Sequence, residues 1–185
     1  MVRMDLMQAI KERRSVRKFK PDPLSDELIN VVLEAGRWAP SWANTQCWRF
    51  VVVQDVETRA KLAEAKGSGN PAAEAVRNAP VTIVVCGVLG TSGYYKGEAP
   101  TDKGDWYMFD TALAVQNMML TAHVLGLGTV PVGLFDARKV AEILGVPSDV
   151  AVVLLLSMGY PAEQPSAPRR KELAEITFRE RYGQS

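Results

Sequence analysis

Three guanidinium groups and a hydroxyl fall within five residues, Arg13, Arg14, Ser15, Val16 and Arg17. Guanidinium forks bind phosphate oxygens bidentately and a serine adds a neutral donor, so the stretch suits a dianion, with Arg17 reaching a second polar edge of the same ligand. The same cations would also complement the C-terminal end of a preceding helix, and spacing leaves both readings open. A second segment runs from Ala39 through Pro40, Ser41, Trp42, Ala43, Asn44, Thr45, Gln46 and Cys47 to Trp48. Joining a helix to a strand, it offers an aromatic ligand flat apolar surface beside hydroxyl and amide groups; it equally reads as a plain turn, with Trp48 in the core. A third, Gly126 to Gly133 through Pro131 and Val132, can present backbone N–H groups to a ligand or simply end a helix. Its glycines miss the last position of Gly-x-Gly-x-x-Gly and follow a helix, which argues against a dinucleotide fingerprint. The fourth, Arg169-Arg170-Lys171, is either a solvated charge cluster or a cation carried by an extended arm to a distant anion.

The surrounding pattern predicts the elements that hold these groups. Leu6 and Ile10 mark a short helix that runs into the basic stretch and stops at Pro21 and Pro23. Ser25 caps a second, with Leu28, Val31, Val32 and Ala35 at helical spacing until Pro40. Trp48–Gln54 reads as a strand, Asp55 caps a helix to about Lys66, Gly67–Pro71 breaks it, and a shorter helix runs to Asn78. Val81–Val88 reads as a buried strand, and a long helix from about Lys103 to Leu125 is apolar on more than one face, as expected for a central or interface helix. Thr129–Gly133 is a turn or short extended segment, Asp136 caps a helix ending at Gly145, and Val150–Met158 is a strand. Pro161, Pro165 and Pro168 favour an extended arm.

Composition narrows the function classes. With 185 residues, 47% hydrophobic and 23% charged, the chain has the profile of one globular domain. Its 22 Lys+Arg against 21 Asp+Glu supply no generally basic surface for nucleic acid. The longest apolar run, Val150–Leu156, is too short to cross a bilayer, and no signal-like segment opens the chain, so a cytoplasmic protein is expected. Cys47 and Cys86 are far apart, outside any Cys-x-x-Cys pattern, and read as small hydrophobes. A single histidine, His123, removes His-pair zinc sites and gives little to a hydrolase triad; on an apolar helix it reads as a packed structural residue.

Taken in order, Arg13–Arg17, Ala39–Trp48, Gly126–Thr129 and Arg170–Ile176 resemble the nitroreductase family of FMN-dependent enzymes, over nearly the whole chain. The resemblance implies an α+β fold, one domain over residues 1–185, with a central, mainly antiparallel sheet flanked by helices and an extended C-terminal arm. It implies an intertwined homodimer with FMN in two interface sites. By match to the motifs, Arg13 and Ser15 hold the phosphate end or polar atoms near it, Arg17 approaches the N1 and O2 edge of the flavin ring, and Arg14 is a lesser contact. Pro40, Ser41, Ala43 and Asn44 belong to the loop supplied by the partner subunit. Val132 and Gly133 form the turn whose backbone N–H groups face N5 and O4, with Pro131 beside them in the cofactor site, and Arg170, with Arg169, returns to the phosphate. Cys47 departs from the pattern, many relatives having proline there; it alters loop rigidity or brings a thiol near the pocket. Gly90–Gly104 is the expected wall of the substrate pocket.

The implied activity moves a hydride from NADH or NADPH through flavin N5 to nitroaromatic, quinone or similar electron-poor acceptors by a ping-pong mechanism. No catalytic side chain and no metal is called for, because the flavin carries the chemistry. Two alternatives share the same contacts: a non-catalytic FMN storage or sensing protein, and a flavin dehydrogenase or dehalogenase for a dedicated small substrate. No nucleic-acid or membrane partner is implied.

Overall fold

Four strands and seven helices follow one another in a computed structural model that describes residues 4–65 and 72–184. The order is α1 (Leu6–Glu12), α2 (Asp26–Arg37), β1 (Trp48–Val53), α3 (Val56–Glu64), α4 (Ala73–Asn78), β2 (Val81–Val88), α5 (Tyr107–Val124), β3 (Gly128–Val132), α6 (Ala137–Leu144), β4 (Val150–Gly159) and α7 (Leu173–Ile176). Side-chain caps start several of the helices. Asp5, Ser25, Asp55 and Asp136 accept from first-turn N–H groups of α1, α2, α3 and α6, and Gly145 closes α6 in the left-handed region.

The sheet order is β1-β2-β4-β3, and every neighbouring pair is antiparallel. Side chains alternate across β2, so one strand feeds two cores. Val81, Ile83 and Val85 pack with Ile29 and Val32 of α2 and Met118 of α5, whereas Val84 and Cys86 pack with Leu62 of α3, Val76 of α4 and Val140 of α6. Helices therefore cover both faces, as the α+β expectation required. Pro131, which has no N–H to donate, sits on the edge strand β3.

Several boundaries depart from expectation. The first helix ends at Glu12, and the arginine stretch beyond it is extended: Val16 N donates to Thr129 O at 2.9 Å, Ser15 bridges Thr129 in parallel, and Phe19 bridges Pro161. The backbone of residues 16–20 thus bonds to Thr129 of β3, to Tyr160 and Ala162 just after β4 and to the Glu163 side chain instead of within a helix. The second helix stops at Arg37 and buries Ile29, Val32 and Gly36, leaving Val31 48% exposed. Gly36 sets that face, because Met118 Cγ lies 2.9 Å from where a Cβ would stand. The central helix begins at Tyr107, not Lys103, because the Asp105 carboxylate takes the N–H groups of Tyr107 (3.1 Å) and Gly90 (2.7 Å). Thr129–Val132 is strand, begun one residue earlier at Gly128. The helix expected to run to about Lys66 ends at Glu64, capped by Ala65, and the expected break at Gly67–Pro71 lies outside the described residues. Residues 162–172 run as an arm without regular structure, ahead of the single turn of α7.

Candidate functional site

Arg13, Arg14, Ser15 and Arg17 line one side of a cleft of about 270 Å³, and Pro165, Ser166, Pro168 and Arg170 of the arm line the other. No carboxylate is among these lining residues. The Arg13 side chain carries a buried Nη1 with no hydrogen-bond partner. Burial first, then the charges of Arg14 and Arg170, hold its pKa below the ordinary guanidinium value. An uncompensated, partly desolvated cation beside two others is a site short of an anion.

The two readings of the basic stretch fall on different residues. Arg14 turns its Nη1 back onto the carbonyls of Lys11 (2.6 Å) and Arg13 (2.8 Å), closing the end of α1. Arg13 makes no such contact. Arg17 is exposed, and its backbone N–H donates to Glu163 Oε1 at 2.7 Å, as that of Lys18 does at 3.2 Å. Glu163 thereby pins the arm against the arginines. Both arginines of the arm are exposed, and Arg170 lines the cleft whereas Arg169 does not.

The glycine-bearing turn lies against the same segment. A Cβ on Gly128 would stand 2.8 to 2.9 Å from the side-chain carbons of Val16, so this glycine permits a close approach beyond its part in leaving the helix. From Thr129, β3 leads to Val132 and Gly133 over roughly 10–13 Å at about 3.3 Å per residue. Val132 is buried, while Pro131 and Gly133 are exposed.

The loop at 40–46 stands apart from the arginine cleft; none of Pro40, Ser41, Ala43 and Asn44 lines it. Ala43, Asn44 and Gln46 all have positive φ (46°, 57° and 49°), an uncommon state for side chains larger than glycine. Ser41 Oγ accepts from Gln46 N at 2.9 Å, and Trp42 N donates to the Asp110 carboxylate at 3.1 and 3.2 Å. Asp110, 1% exposed, also accepts from Ser92 Oγ at 2.5 Å and from Cys47 Sγ at 3.8 Å. Burial and then the Asp110 charge push the Cys47 thiol up to about 11, so Cys47 is a protonated, buried tie of the loop and not a reactive thiol at a pocket.

Sequence reasoning missed Asp110 and Glu163. Asp110 lies on the same face of α5 as the buried Ala114, Met118 and Ala122, at spacings of four, and a carboxylate on a core stripe is a legible signal. Glu163 carried none. His123 lines an adjoining cavity of about 510 Å³, which shares Arg13, Arg14 and Pro165 with the arginine cleft and also takes in Glu12 and Glu163. Its pKa is lowered by burial, with Arg13 and Arg14 pushing the same way and Glu12 opposing.

The Nitroreductase family model matches residues 10–160. The chain belongs to the nitroreductase family. It is 31% identical to an NADH dehydrogenase of Thermus thermophilus over 201 residues, covering 95% of this chain and 96% of the relative. It is 26% identical to the FMN reductase (NAD(P)H) of Bacillus subtilis, covering 96% of this chain and 74% of that one. A crystal structure of a nitroreductase family protein from Clostridium difficile superposes with a TM-score of 0.83 at 30% identity, covering 96% of this chain and 99% of that one. The α+β architecture with its antiparallel sheet is the architecture of the nitroreductase family. No helix among the described residues is long and apolar enough to cross a membrane.

Proposed function

We propose that this nitroreductase-family chain is an FMN-dependent oxidoreductase that uses NADH or NADPH to reduce nitroaromatic, quinone or similar electron-poor acceptors by a ping-pong mechanism. It works as a single domain over residues 1–185, as a cytoplasmic homodimer. The observation that carries the reading is Arg13, whose buried Nη1 has no partner and whose neighbours Arg14 and Arg170 are cations too. A phosphate of nearly two negative charges meets that need, and the hydroxyls of Ser15 and Ser166 on the same cleft add neutral donors. The residues present therefore fit the phosphate end of FMN.

Bound FMN supplies the redox chemistry, accepting a hydride from the nicotinamide and delivering it to the acceptor. The chain's part is to hold and tune. Arg13 and Arg170 offset the phosphate charge. Arg17, free of any side-chain carboxylate partner among the described residues, would offer positive charge to the ring system as it gains negative charge on reduction. Val132, buried, and Gly133, exposed at the end of β3, would offer backbone N–H groups to the ring, and Pro131, which has none, would set the turn before them. Pro40, Ser41, Ala43 and Asn44 complete the site from the partner subunit, which agrees with their separation from the cleft in one protomer. The arm supports the intertwined dimer: Leu173, Ile176 and Tyr182 are 77%, 57% and 93% exposed, an apolar series that a second subunit would cover.

The test is the visible spectrum of purified protein before and after anaerobic NADH or NADPH. A flavin spectrum that bleaches with the nicotinamide and returns with a quinone supports the enzyme. Persistent absorbance indicates the storage or sensing protein, and colourless protein that FMN does not stabilise rules out the flavin reading.

A further inference from the structure

Asp110 gathers donors from two separate stretches of chain: the N–H of Trp42 and the thiol of Cys47 in the loop that leads into β1, and the hydroxyl of Ser92 in the 90–104 segment. Among the described residues no cation pairs with it, so these hydrogen bonds, with the N-terminal end of the α5 dipole, compensate a carboxylate that is 1% exposed. We infer that Asp110 is a positioning residue, a shared latch through which the cofactor loop and the wall of the acceptor pocket hold one another in place. The inference rests on the FMN reading of the loop given above.

Both segments need such an anchor. Ala43, Asn44 and Gln46 stay in the left-handed region only if surrounding contacts over-determine them, and the bond from Trp42 N to Asp110 ties the loop to the body of the domain. On the other side, Ser92 is fully buried, and its carbonyl accepts from Trp106 N at 2.9 Å. Gly93 follows at φ 86°, where a Cβ would overlap Gly104 O and the Trp106 ring. This docks the 90–93 stretch on the start of α5, beside an exposed recess lined by Lys103, Asp105, Trp106, Met108 and Phe109, in which the Trp106 and Phe109 rings meet edge to face at 5.3 Å. A carboxylate has lone pairs enough for all its donors; an amide in its place has one accepting oxygen and an N–H₂ group that faces other donors. Loss of the latch at either end therefore loosens the other end.

The experiment compares Asp110→Asn, Ser92→Ala, the double variant and Arg13→Ala. FMN dissociation constants are measured by fluorescence titration well below each melting temperature, and KM for a quinone is measured on the FMN-loaded protein. Asp110→Asn is expected to weaken FMN binding by about tenfold or more, the scale of a hydrogen bond to a charged group. Ser92→Ala, which touches no proposed cofactor contact, is expected to weaken FMN by about threefold or more and to raise the quinone KM. The double variant should bind FMN no worse than Asp110→Asn alone, since both changes cut one network. If Ser92→Ala leaves FMN affinity intact, or the two effects multiply, while Arg13→Ala weakens binding, the latch is refuted. If Arg13→Ala also leaves it intact, the FMN reading of the cleft falls instead. Should Asp110→Asn fail to fold, the Ser92→Ala arm decides the question alone.

Discussion

Replacing Arg13 by alanine is expected to weaken cofactor binding while leaving the empty protein no less stable, and Arg14→Ala is expected to do the reverse. Arg13 is a partly buried cation with an unpartnered Nη1, repelled by Arg14 and Arg170. Its removal from the apoprotein discards a desolvated charge and, among the described residues, breaks no side-chain hydrogen bond or ion pair, so the apoprotein melting temperature should stay level or rise. Against a phosphate about 4 Å away, a unit charge is worth roughly 4 kcal/mol at an effective dielectric constant near 20. After desolvation, a charge-assisted hydrogen bond keeps about 1.5–3 kcal/mol, so FMN affinity should fall roughly ten- to a hundredfold. Arg14 instead caps α1 through the carbonyls of Lys11 and Arg13. Losing that contact should cost about 0.5–1 kcal/mol, lower the melting temperature by about 1–4 °C, and change FMN affinity by less than about threefold. Fluorescence titration and calorimetry of the two apoproteins measure both quantities. Equal loss of FMN affinity in the two variants, or a clear drop in apoprotein stability for Arg13→Ala, would refute the division of labour.

Gly128→Ala should push Val16 off β3 at a cost of about 1–3 kcal/mol and weaken FMN binding; adding Val16→Ala should restore both, as followed by denaturant melts and FMN titration. The reasoning fails if Gly128→Ala alone is silent. Cys47 and Cys86 are both pushed up to about 11 by burial, so the folded chain keeps thiol protons that the unfolded chain releases above a pKa of about 8.5. Their contribution to stability is complete below that value and declines as pH rises toward 11. Urea melts at several alkaline pH values should show wild type losing more stability than a Cys47→Ala, Cys86→Ala protein, and parallel curves would count against it.

Local chemistry was readable residue by residue. Ser25, Asp55, Asp136 and Gly145 announced helix ends because caps act within three or four positions of themselves. Val81–Val88 stood out because a strand buried on both faces is apolar nearly throughout, broken here only by Thr82 and Gly87. What escaped depends on partners distant in sequence. Arg13–Arg17 looked like a helix end until Thr129, more than a hundred residues on, supplied the backbone bond that extends it. The face of α2 was misassigned because Gly36, invisible to a hydrophobic pattern, is where Met118 enters. In the candidate site, the arginines could be found by type, but nothing in their spacing separated Arg13 from Arg14. That distinction follows from which guanidinium reaches the helix carbonyls.

The residues at 43, 44 and 46 adopt turns that glycine would enter more cheaply, yet none is glycine. A glycine-rich stretch in that place would wander through many shapes and be frozen by each arriving guest, at a loss of affinity. Alanine, asparagine and glutamine have fewer shapes to wander through, and because the left-handed one is costly to them it is the bonds to Asp110 and Ser41 that keep the segment set. Mutagenesis that swaps glycine into these positions would soften the loop and slow the capture of anything that depends on its shape.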